Sequence, residues 1–152
     1  MPQIHRICSR KRADSAFSGE GARQYGGRWN EKGTRVVYCA STVSLAMLEM
    51  LVHSPSLPSG MVTIALTLPD DVRLDSWSEA DLPSDWAAYP APASLQARGS
   101  AWVASARSLA LRVPSAVVRT ESNVLVNPGH PDWLRCTIHT PSPVLFDARL
   151  RP

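Results

Sequence analysis

The chain has 152 residues, 44% of them hydrophobic, which is the size of one ordinary globular domain, so residues 1–152 are read as a single domain. Its net charge of +3 is spread along the chain, and no helix-turn-helix pattern, RNP-like strand or finger spacing accompanies it, which argues against direct nucleic-acid binding. No run approaches the ~20 apolar residues of a spanning helix, no apolar stretch follows Arg6, Arg10, Lys11 and Arg12, and Cys8, Cys39 and Cys136 have neither disulfide nor zinc spacing. The expectation is a cytoplasmic protein with no membrane partner and no metal, its cysteines acting as small buried hydrophobes.

The first informative segment is Tyr25-Gly26-Gly27-Arg28-Trp29-Asn30, around which five of the eight glycines gather. Glycine accepts positive φ and lets a ligand approach the backbone, so Gly27 and its neighbours mark a shaped loop. Arg28 adds a planar fork of donors suited to phosphate. Without the arginine the loop would be only a turn. The segment is neither a Walker loop nor a Rossmann fingerprint.

Residues 35–40 form a β-rich run, and Ser41-Thr42 after it can cap a helix. That helix is expected over residues 42–53, stopping before Pro55. Its apolar residues cover nearly the whole circumference, interrupted by Glu49 and His53. A helix apolar all round is a buried helix, and a carboxylate within it must be paired, so Glu49 is expected to line a cavity. His53, four residues on, either orients Glu49 or caps the helix C-terminus.

Residues 61–68 alternate with period two and read as a half-buried strand. The acidic, proline-rich stretch 70–92 reads as an ordered connection anchored by Trp77, Trp86 and Tyr89, with one helical turn at 78–82. Residues 100–109 have helical spacing and are followed by residues 111–114 and a strand at 116–119. Glu121-Ser122-Asn123 and Asn127-Pro128 flank an apolar Val-Leu-Val run. These polar groups can position a sugar or amide, or serve as turn chemistry at a strand end.

Taken together, Gly-Gly-Arg-Trp-Asn, Val-Val-Tyr, Leu-Ala-x-Leu-Glu-x-Leu-Val-His, Glu-Ser-x-Asn-x-Leu-x-Asn-Pro, His-Pro and Phe-Asp-x-Arg-Leu, in order from Arg6 to Leu150, resemble the RES-domain toxins of bacterial Xre-RES toxin-antitoxin modules. That family takes its name from an arginine, a glutamate and a serine. Here those would be Arg28, Glu49 and Ser122.

The resemblance implies an α+β fold like that of ADP-ribosyltransferases, with small β-sheets flanking a cleft that binds NAD+ as a substrate. It implies that Arg28, with Gly27, grips a phosphate or ribose, Tyr38 packs on the nicotinamide or its ribose, and Glu49 faces the scissile carbon. Ser122 and Asn123 would hold the ligand from the opposite wall, with His53 as a helper beside Glu49. The reaction would break the nicotinamide-ribose bond and deplete NAD+ by hydrolysis or phosphorolysis. The alternative is a mono-ADP-ribosyltransferase acting on a host protein, and a further one is a non-catalytic module that binds a nucleotide or an anionic partner. An Xre-like antitoxin occluding the active site is the implied partner, with a homodimer inside that complex.

Overall fold

The computed structural model describes residues 1–151. Its strands are β1 (Gln3–Ser9), β2 (Val37–Ala40), β3 (Met61–Thr67), β4 (Leu74–Ser76), β5 (Ala110–Pro114), β6 (Ser122–Val126), β7 (Thr137–Ile138) and β8 (Ser142–Val144). Its α-helices are α1 (Glu20–Tyr25), α2 (Val43–Val52) and α3 (Ala93–Ser105). The class is α+β, as the sequence implies. One sheet of order β4-β5-β6-β2-β1-β3-β7, with β8 also on β3, carries the fold.

The sheet is two halves joined at a seam. β1 pairs with β3 over its full length, Gln3 opposite Thr67 to Ser9 opposite Met61, and β2 pairs with β6 from Val37–Val126 to Ala40–Asn123. Between β1 and β2 the register shows one pair, His5 opposite Ala40. Period two then divides the side chains between two faces. Ile4, Cys8, Val37, Cys39, Val62, Ile64, Leu66, Val124 and Val126 pack beneath the sheet with Phe17. On the other face α2 covers one half through Val43, Ala46, Met47 and Met50 against Ile7, Val144 and Phe146. On the same face α3 covers the second half, with Leu95 and Trp102 against Leu111, Val113, Leu125 and Trp29. The seam between the two coverings is left open.

α2 begins where expected, because the Thr42 hydroxyl accepts from the Leu45 amide, and ends with His53 as its C-cap. It is not buried all round. Leu45 and Leu51 face the core, but Val52 is 54% exposed and Leu48 36%, since a helix lying on a sheet buries only one side.

The strand expected at 116–119 is absent, and the strand is instead β5, ending at Pro114. Ser115 explains the stop: its hydroxyl accepts from the amides of Val117 and Val118 and folds the chain into a turn. α3 starts seven residues before the expected 100, with Pro92 as its N-cap, because tertiary contact rather than apolar periodicity holds its first turns. The 78–82 turn appears as a 3-10 turn, Glu79–Asp81, capped by Ser78. β4 inside the connection went unrecognised; at three residues it is too short for a period to show.

Candidate active site

The Gly27–Asn30 turn is built by its neighbours. The Asn30 side chain, fully buried, donates to the carbonyls of Ala22 at 2.8 Å, Glu31 at 3.1 Å and Thr34 at 3.2 Å. It accepts the Tyr38 hydroxyl at 2.5 Å, and that hydroxyl accepts the Trp29 amide at 3.0 Å. A Cβ on Gly27 would lie 2.6 Å from the Tyr38 oxygen, so the position has no room for a side chain unless Tyr38 shifts. From α3, Gln96 donates to the Gly27 carbonyl at 2.9 Å and Ser100 accepts the Glu31 amide at 2.9 Å. Gly99 lets the helix touch the turn; a Cβ there would stand 1.7 Å from the Trp29 carbonyl oxygen.

The turn projects Arg28 beside a cleft of about 990 Å³ that opens over the seam. Arg28 Nη1 donates to the carbonyls of Trp86 at 2.8 Å and Ala88 at 2.7 Å, which fixes the guanidinium and occupies both hydrogens of that nitrogen. The edge formed by Nε and Nη2 carries the donors that remain. Partial burial draws the Arg28 pKa below its ordinary value, opposed by the negative charge of Glu49. A half-buried cation facing one carboxylate is set up to receive an anion.

Glu49 lines the cleft from α2, and its Oε1 accepts the Ser115 hydroxyl at 2.9 Å. Ser115 is fully buried and already takes two amide hydrogens, so it has one proton to give and its geometry is fixed. Tyr38 lines the cleft with its hydroxyl engaged as above, and burial pushes that hydroxyl's pKa well upward, keeping it protonated. His53 lies at the mouth, exposed, its ring 6.2 Å from that of Tyr89. Asn123 and Gly27 also line the cleft.

Ser122 is placed otherwise. It opens β6, and its carbonyl accepts the Ser41 amide at 3.2 Å, while the serine that meets Glu49 is Ser115. Sequence reasoning overlooked Ser115. The available signal was Pro114-Ser115-Ala116 closing an apolar run, where a hydroxyl has backbone amides to bind. It also overlooked Arg6, which lines the cleft from β1 and donates from Nη1 to the Tyr38 carbonyl at 3.0 Å, with a buried Nε that has no partner. An arginine next to His5 in a short strand-like run flanked by Ile4, Ile7 and Cys8 was its signal. Among the described residues no cluster of three or more His, Cys, Asp or Glu is placed to hold a metal ion.

A family model described as RES domain matches residues 3–147. The chain belongs to the RES domain family. Toxin Res of Yersinia enterocolitica is 40% identical to this RES domain over 151 residues, covering 97% of the chain and 99% of the relative. The Prs ADP-ribosylating toxin of a Sphingobium species is 39% identical over 138 residues, covering 88% and 86%. In fold, the RES domain superposes with a TM-score of 0.71 on a chain of the M. tuberculosis MbcT-MbcA toxin-antitoxin complex, at 20% identity and covering 92% of this chain and 82% of that one. Among the described residues no helix is long and apolar enough to cross a membrane.

Proposed function

We propose that this RES domain is the toxin of a toxin-antitoxin pair and that it breaks the nicotinamide-ribose bond of NAD+. The observation that carries the reading is the fixed Ser115–Glu49 contact in the same cleft as Arg28 and Arg6. Nicotinamide leaves a cationic pyridinium as a neutral molecule, so no general acid is needed and positive charge develops on the ribose carbon. A carboxylate held beside that carbon lowers the barrier, as carboxylates do around glycosidic bonds. Glu49 is that group, and Ser115 orients it. Arg28, through its free Nε–Nη2 edge, and Arg6 hold the diphosphate. Tyr38 shapes the Gly27–Asn30 turn and offers its ring to the nicotinamide ribose, and Asn123 contacts the ligand from the floor.

The acceptor separates two readings. An open cleft of this size admits water or phosphate to the ribose carbon, and either acceptor depletes NAD+. Transfer to a protein is supported by the Sphingobium relative, whose name is that of an ADP-ribosylating toxin. Incubating pure protein and host extract with NAD+ labelled in its adenylate half distinguishes them. Label in free ADP-ribose or its 1-phosphate supports depletion; label on one discrete protein band, lost in Glu49→Gln, supports transfer. The fold shared with a toxin-antitoxin complex supports an antitoxin of this chain's own. A segment placing a carboxylate on Arg28 would occlude the cleft, and co-expression would then restore growth.

A further inference from the structure

Residues 86–91 form one wall of the cleft through Ala87, Tyr89, Pro90 and Ala91, and the carbonyls of Trp86 and Ala88 are what hold Arg28. This wall has no strand or α-helix of its own, so something outside the cleft must fix it. That something is a three-residue clamp. Glu79 Oε1 accepts both the Trp86 indole N–H at 3.1 Å and Arg119 Nη1 at 2.9 Å. The Arg119 guanidinium carbon in turn stands 5.0 Å from the centre of the Trp86 ring. Trp86 is buried and tilts against Trp29 at 6.3 Å. Its ring is therefore held by the carboxylate, the cation and the turn's own tryptophan, while its carbonyl holds Arg28.

Glu79 and Arg119 are about half exposed and do not line the cleft. An exposed ion pair adds little to global stability, so stability alone gives weak reason for this arrangement. We propose that Glu79 is a positioning residue for the ligand. Through the Trp86 indole it fixes the 86–88 backbone, and through those carbonyls it sets the direction of the Arg28 guanidinium. A fork aimed a fraction of an ångström away loses its two-point grip on a phosphate.

This inference rests on the cleft being the NAD+ site, and the test keeps the two apart. NAD+ binding is measured by titration calorimetry in a Glu49→Gln background, where binding is read without cleavage. Adding Glu79→Ala should weaken NAD+ about tenfold, with a modest fall in the melting midpoint from the Trp86 indole N–H that loses its acceptor. Glu79→Gln, whose amide oxygen still accepts both hydrogen bonds, should restore affinity to within about twofold of the parent. Trp86→Phe, which removes the indole N–H together with part of the buried ring, should weaken binding at least as much as Glu79→Ala does. In an Arg28→Ala background, Glu79→Ala should have no further effect, since the two residues act as a unit. Unchanged affinity in Glu79→Ala, or an equal loss with and without Arg28, overturns the positioning role. Failure of the Glu49→Gln parent to bind NAD+ overturns the NAD+ reading itself and this inference with it.

Discussion

Ser115 reaches across 66 positions of sequence to give its hydroxyl hydrogen to Glu49 Oε1 at 2.9 Å. The same oxygen of Ser115 ends β5 by accepting two amides, so one side chain both stops a strand and aims a carboxylate. Replacing it should therefore separate catalysis from binding. A hydrogen bond to a charged group contributes about 1.5–3 kcal/mol, and Ser115→Ala should lower kcat for nicotinamide release by roughly ten- to hundredfold. KM should change much less, because the role proposed for Glu49 is at the reacting carbon rather than at the diphosphate. Steady-state kinetics checks this, and an unaltered kcat would show that Glu49 needs no orientation.

Arg28 is engaged on one nitrogen by two carbonyls and has a second edge left. A lysine has a single ammonium and cannot bridge Trp86 and Ala88 while also gripping a phosphate at two points. Arg28→Lys should weaken NAD+ by about tenfold or more, read by calorimetry with Glu49→Gln as the parent. Wild-type affinity would remove Arg28 from the binding account.

Gly99 is where α3 touches the Trp29 carbonyl, and that contact leaves no space for a methyl group. Because the obstacle is backbone, Gly99→Ala must separate helix from turn. The cost should be about 3 kcal/mol or more, seen as a lower denaturant midpoint. NAD+ affinity should fall with it, since the same turn carries Arg28. A fully stable Gly99→Ala variant would contradict the tight packing described.

Burial pushes the Cys39 thiol from its ordinary 9.0 up to about 12, and burial raises the Tyr38 hydroxyl as well. Both groups keep protons in the folded state that the unfolded chain releases. Their contribution to stability is therefore fully present below pH 9 and is lost as pH rises toward 12. Melting midpoints should fall across that window, less steeply in Cys39→Ala than in the wild type. Parallel slopes would mean that Cys39 ionises without unfolding.

Much of the fold could be read from the chain because its signals are local. Thr42 capping α2, the alternation of β3 and the glycine turn each depend on a few adjacent residues, and each appears in place. What escaped depends on distant partners. β4 is held by its parallel pairing with β5, and the first turns of α3 by contact with the glycine turn, neither of which leaves a period in the sequence. At the site, Arg28 and Glu49 were visible because a charge stood in an unusual setting. Ser115 was hidden because a serine after a proline looks like an ordinary turn, and here it is one as well. Arg6 was hidden in the N-terminal basic residues until β1 carried it to the seam.

The most direct measurement is the release of free nicotinamide from NAD+ by the pure protein, with Glu49→Gln as its pair. Losing a charge that stabilises the transition state should cost on the order of 10²-fold or more while circular dichroism and melting stay the same. The account predicts steady nicotinamide release by the wild type and almost none by Glu49→Gln. Equal release by the two proteins, or none by the folded wild type, would contradict it.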